Sequence, residues 1–152
     1  MNDRQYPDGI DSVWLASDRN GHLGAFVTAG VGPIPILALN FDDPAVEDIE
    51  QLVIDLPKKS AARVLVSVPR PDDFIDLAER GVFVYDWSDI HRTTRDAIKA
   101  YEPVAAPVNP ITIDTLPASL AQAAKNLKFV DVAFVSGQPL DVRTLTRCCE
   151  GK

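Results

Sequence analysis

The sequence predicts an α+β fold: a mixed or antiparallel sheet with an N-terminal hairpin and packed helices. Three observations carry this expectation. Two apolar runs near the N-terminus flank Asp18-Arg19-Asn20-Gly21, a turn signal of the hairpin kind. Downstream, segments with apolar residues at helical spacing alternate with short β-branched and aromatic runs. The 12 prolines are scattered, so they punctuate short elements and isolate no linker. At 152 residues, 46% hydrophobic and 24% charged, residues 1–152 suit a single globular domain with its own core.

The elements follow in order. Ser12–Ser17 and His22–Thr28 are the hairpin strands, with Asn20-Gly21 tolerating the positive φ of a two-residue turn. Gly30-Val31-Gly32-Pro33-Ile34-Pro35 excludes a regular helix and turns the chain off the hairpin edge. Asp42 or Asp43 caps the first helix, with Pro44 in its first turn. Val46, Ile49, Leu52, Val53 and Leu56 form its apolar stripe, and Pro57 stops it. Arg63–Val68 is a strand. Asp72–Arg80 is a helix closed by Gly81, with Phe74, Leu77 and Ala78 toward the core. Val82–Tyr85 is a buried strand, Thr93–Ala100 a short helix and Ile111–Ile113 an extended piece. Pro117 opens a third helix to about Leu127, and Phe129–Val135 reads as the last strand.

The charge and the ends exclude several functions. Fifteen Lys and Arg against 22 Asp and Glu give a net charge of −7 and a pI of about 4.7, which repels phosphate backbones and argues against nucleic acid as a general ligand. The polar start Met1-Asn2-Asp3-Arg4-Gln5-Tyr6 lacks a signal-peptide apolar region, and no run reaches the length of a membrane span. The expectation is a cytoplasmic protein with no membrane partner. Cys148 and Cys149 are adjacent and read as two reduced thiols.

Catalytic motifs are sparse. The only histidines are His22 and His91, with no helical His-x-x-x-His pair for a metal. The sequence has no Gly-x-Ser-x-Gly elbow, phosphate-binding Walker loop or Gly-x-Gly-x-x-Gly fingerprint, and Pro33 removes a donor after Gly30-x-Gly32. No cofactor and no metal are expected. Acidic pairs recur at Asp42-Asp43, Glu47-Asp48, Asp72-Asp73 and Asp86 with Asp89. Such pairs can hold Mg²⁺ or act as acid and base, and at helix starts they also serve as caps. Their clustering is more informative. Residues 42–56 hold six acids and no base, 72–80 hold four acids and one base, and 57–70 hold four bases and no acid. Two helices on one side of a sheet would form an acidic surface that steers a basic partner. Asp42, Asp43, Glu47, Asp48 and Glu50 are its first candidates, then Asp72, Asp73 and Asp76. Tyr85, Asp86 and Trp87 are candidate interface anchors, aromatic residues beside acids.

Two stretches carry a resemblance. Val13-Trp-Leu-Ala-Ser-Asp-Arg-Asn-Gly-His-Leu-Gly-Ala-Phe-Val-Thr-Ala-Gly-Val-Gly-Pro-Ile-Pro35 is one. Gly81-Val-Phe-Val-Tyr-Asp-Trp-Ser-Asp89, with Tyr101-Glu-Pro-Val-Ala-Ala-Pro107 downstream, is the other. Together they resemble immunity proteins of bacterial contact-dependent growth inhibition and polymorphic toxin systems, over about two thirds of the chain. The motifs are structural and transfer no catalytic residue. The resemblance implies a cytoplasmic, non-enzymatic inhibitor that binds a cognate toxin C-terminal domain. Nuclease toxins are basic because they bind phosphates, and an acidic inhibitor suits them. Two alternatives stand beside this reading: a small hydrolase using His22 or His91 with a nearby carboxylate, and a homo-oligomeric interaction scaffold.

Overall fold

The chain first reverses at Asp18–His22, where β1 (Val13–Asp18) turns into β2 (Leu23–Val27). The strands pair antiparallel, Trp14 opposite Phe26 and Ser17 opposite Leu23. The loop is longer than the two-residue turn expected from Asn20-Gly21. Asp18 N–H donates to His22 O at 3.0 Å, Gly21 N–H donates to Asp18 O at 3.1 Å, and within the loop only Gly21 has positive φ. This is the three-residue hairpin with a left-handed residue at its end. The Asp18 carboxylate stabilises it by accepting N–H bonds from Asn20 at 2.9 Å and His22 at 3.0 Å.

The structure, a computed structural model, describes residues 5–42, 44–65, 71–87, 100–146 and 148–149, the last two by backbone alone. Asp43, Asp89, His91, residues 66–68 of the expected strand and 93–99 of the expected short helix lie outside them. The hairpin is the middle of a mixed six-stranded sheet. It also contains β4 (Ala62–Val64), β5 (Phe83–Trp87), β6 (Tyr101–Pro107) and β7 (Lys128–Phe129), in the order β4-β6-β5-β2-β1-β7. β2–β5 and β1–β7 are parallel, and the other neighbours are antiparallel. A short ladder joins β3 (Ile34–Pro35) to β8 (Cys148–Cys149). The fold is α+β, as expected.

Both faces of the sheet are covered. Val13, Leu15, Leu23, Ala25 and Val27 alternate along the hairpin and meet three helices: α2 (Val46–Ile54), α3 (Asp72–Ala78) and α4 (Ala118–Asn126). Ile49, Val53, Leu77, Ala78, Leu120 and Ala124 complete that core. The helical spacing of the apolar residues therefore located α2 and α3, and both pack on one face. Trp14 and Phe26, with the opposite side-chain parity, face an aromatic layer made with Tyr85, Tyr101, Phe129 and Phe134. Loops and short elements cover that layer, among them α1 (Ile36–Leu39) and α5 (Val142–Leu145), which the sequence did not predict. No helix among the described residues is long and apolar enough to cross a membrane.

Three expectations need correction. Asp42 does not cap α2: Ala45 is its N-cap and makes no side-chain cap bond, while Glu47 and Asp48 lie in the first turn. The piece Ile111–Ile113 is extended at Thr112, which forms an isolated antiparallel bridge to His22, but it is not a strand of the sheet. The real strand is β6, which contains Pro103 and Pro107. A register shift opposite Val84/Tyr85 leaves Val104 as a bulge beside Pro103, so the proline ring sits where the ladder is already interrupted. Phe129–Val135 is not one strand. After β7 the chain turns, with Val132 N–H bonded to Phe129 O, and a 3₁₀ turn follows at Phe134–Ser136. The buried Asp18 carboxylate accepts the Phe134 N–H at 2.8 Å, and Val130 and Val135 remain 65% and 64% exposed.

The two acidic helices are joined by Arg80, whose side chain is only 12% exposed. Its guanidinium donates to Ile54 O at 2.9 Å and to Leu56 O at 3.2 Å, satisfying carbonyls at the end of α2 that have no partner within the helix. Arg80→Met keeps the aliphatic stem and removes these donors. The expected cost is about 1–3 kcal/mol, read as a Tm lower by roughly 3–8 °C in thermal unfolding.

Candidate functional site: an acidic cleft

At the open end of the β1–β2 hairpin, the chain enters through Asp11 and leaves through Thr28-Ala29-Gly30. Ala29 has a φ of 53°, unusual for a residue with a Cβ, and its N–H donates to Asp11 Oδ1 at 2.9 Å. This bond holds the Asp11 carboxylate over the edge of the sheet. The first turn of α3 brings Asp73 to the same place, α2 brings Glu50, and β5 brings Asp86. The four carboxylates line a cleft of about 120 Å³ floored by Val13, Val27, Phe74 and Leu77.

Among the described residues, no Lys, Arg or His lines this cleft. Its electrostatics follow from that composition. Partial burial pushes the Asp11 carboxyl above its ordinary value, and the Asp73 charge adds to this against the opposing Ala29 bond. Burial also pushes Glu50 up, and the charges of Asp11 and Asp73 add to it. Asp11, Glu50 and Asp73 raise one another's cost of ionisation, so a cation brought from outside is favoured beside them. Among the described residues, no group of three or more His, Cys, Asp or Glu is arranged to hold a metal ion.

The structure brings together three of the candidate residues, Glu50, Asp73 and Asp86. Asp42, Glu47, Asp48 and Asp72 are exposed on the same two-helix side without lining the cleft. Asp76 is exposed too and lies 3.8 Å from Arg80. Tyr85 and Trp87 are not interface anchors. They are 1% and 5% exposed and belong to the aromatic layer, because alternation along β5 turns both inward while Asp86 points the other way. Burial and the Asp18 charge push the Tyr85 hydroxyl far above its ordinary pKa. Asp11 was missed. Its signal was present as the acid just before the first strand, but its place over the helices depends on the return of the chain at Thr28-Ala29-Gly30.

His22 lies at the other end of the hairpin. Its Nδ1 is 3.9 Å from Asp18 Oδ2, beyond hydrogen-bond range, and its ring packs near Phe83 with centroids 5.8 Å apart. Asp18 is fully buried and bonded to the N–H groups of Asn20, His22 and Phe134. This carboxylate organises the turn and anchors the C-terminal segment. Comparison with protein-family models, with curated proteins and with solved structures finds no match to this chain.

Proposed function

We propose that this protein is a cytoplasmic immunity protein that captures a cognate bacterial toxin domain, of the basic nuclease class, through the acidic face of α2 and α3. The observation that supports this reading is the cleft. Carboxylates from four separate segments line it, no Lys, Arg or His lines it among the described residues, and two of the carboxylates are held above their ordinary pKa. A Lys or Arg side chain inserted by a partner relieves that cost of ionisation and gains charge-assisted hydrogen bonds. The exposed acids around it supply long-range steering. The role needs no catalytic residue in this chain.

The test is co-expression with the C-terminal domain of the protein encoded immediately upstream, tagged, beside an untagged copy of this chain. The expected result is a stable one-to-one complex and protection of cells from that domain. A normally folded chain that forms no complex and gives no protection overturns the proposal.

A further inference from the structure

A second cleft has the opposite charge, at the opposite end of the same hairpin. Arg19, Asn20 and Gly21 of the turn, Thr112–Asp114, Lys125 from the last turn of α4 and Lys128 from β7 line a cavity of about 410 Å³. In a protein of net charge −7, three cations converge here from three places in the sequence. Among the described residues, the Arg19, Lys125 and Lys128 side chains have no ion pair and no hydrogen bond. Asp114 is the one carboxylate that lines the cavity among the described residues.

We propose that this cleft binds a small phosphorylated ligand through its phosphate group. The support is pre-formed. Asp18 holds the turn rigid from within, Ile113 N–H donates to Gly21 O at 3.0 Å, and Lys128 is paired in register with Ser17. The backbone positions that carry the three cations are therefore set by a fixed frame, and a bound anion gains from each of them. The chemistry selects the anion. A carboxylate carries a single charge, whereas a phosphate monoester carries up to two and offers three acceptor oxygens to three donors. The volume lies in the range of small-molecule sites. Among the described residues no aromatic side chain lines the cleft, so they offer no stacking platform of the kind used for nucleic-acid strands, and the net charge repels a long polyanion. Asn20 and Thr112 are placed for the hydroxyl groups of the ligand. This inference is independent of the acidic cleft, which lies roughly 15–20 Å away along the hairpin.

Pyrophosphate and ribose 5-phosphate, titrated into the full chain by calorimetry at constant chloride, are the probes. Saturable one-to-one binding is expected for at least one of them. The double variant Lys125→Gln/Lys128→Gln is expected to weaken it by about tenfold or more, and Asp114→Asn to tighten it severalfold. All three positions are exposed, so unchanged thermal unfolding is expected to show that the variants fold. Failure of both probes to saturate at millimolar concentration overturns the proposal, as does saturable binding that ignores these substitutions. A ten-nucleotide oligothymidylate that binds more tightly than both probes through the same lysines overturns the assignment to a small ligand.

Discussion

Replacing the cleft carboxylates together, as Asp11→Asn/Glu50→Gln/Asp73→Asn, is expected to slow capture of a basic partner by about tenfold or more at low ionic strength. The same substitutions are expected to flatten the salt dependence of the association rate, because fewer charges remain to be screened. Stopped-flow association at two salt concentrations reads both effects, and an unchanged rate excludes this face as the encounter surface. Glu50→Gln alone is expected to leave the free protein more stable at pH 7, since it removes a charge that burial and its neighbours disfavour. The group is substantially exposed, so solvent screening limits the gain to roughly 1–3 °C in Tm. A binding surface that loses affinity while the fold gains stability is the signature of a site held for a partner.

The pH dependence has a definite sign. Asp11 and Glu50 have folded pKa values above the ordinary 3.8 and 4.5, so the folded state takes up their protons before the unfolded state does. Their contribution is a penalty that is full at neutral pH. It shrinks as pH falls through the raised folded values and disappears below the ordinary ones. Thermal unfolding from pH 7 downward is expected to show a smaller fall in stability for the parent than for Glu50→Gln, because both keep the Asp11 relief and only the parent gains from protonation of Glu50.

Phe26→Ala is expected to have the largest effect on folding, a loss of about 3–5 kcal/mol. Phe26 is fully buried, stacked on Trp14 at 4.2 Å and on Tyr85 at 4.8 Å between ring centroids. Tyr101, Phe129 and Phe134 meet it edge-on. Its removal leaves a cavity among rings pinned by other constraints, including Trp14 Nε1 donating to Tyr101 Oη at 3.1 Å and Tyr101 Oη donating to Pro33 O at 3.0 Å. Such a frame collapses poorly, so the upper half of the range applies. Denaturant unfolding measures the loss. A cost below about 1 kcal/mol, small for a buried aromatic, would mean that these rings are not packed as described.

The elements legible from the sequence are those whose signal is local. The hairpin announced itself through Gly21 and the apolar runs beside it. α2 and α3 followed from apolar residues three and four apart, bounded by Pro57 and Gly81, and α4 from Pro117 as its opening residue. The acidic character of the two-helix face also followed, because exposed positions on an amphipathic helix are set by the same spacing. β6 was hidden because Pro103 and Pro107 are strand breakers unless a bulge and a short neighbouring strand accommodate them. The single strand expected at Phe129–Val135 had the right residues, but the Asp18 carboxylate, 116 positions away from Phe134, captured its backbone instead.

The sequence by itself determined the fold class, the hairpin, the three long helices and the surplus of acid on two of them, all products of local periodicity and punctuation. Only the tertiary structure decided which charges meet. It placed Asp11 with Glu50, Asp73 and Asp86 at one end of the hairpin and Arg19 with Lys125 and Lys128 at the other. It also turned Tyr85 and Trp87 inward while leaving Asp86 at the cleft. The reason is physical: a cleft is built by strand pairing and chain return between segments distant in sequence, and no local period encodes which of them converge.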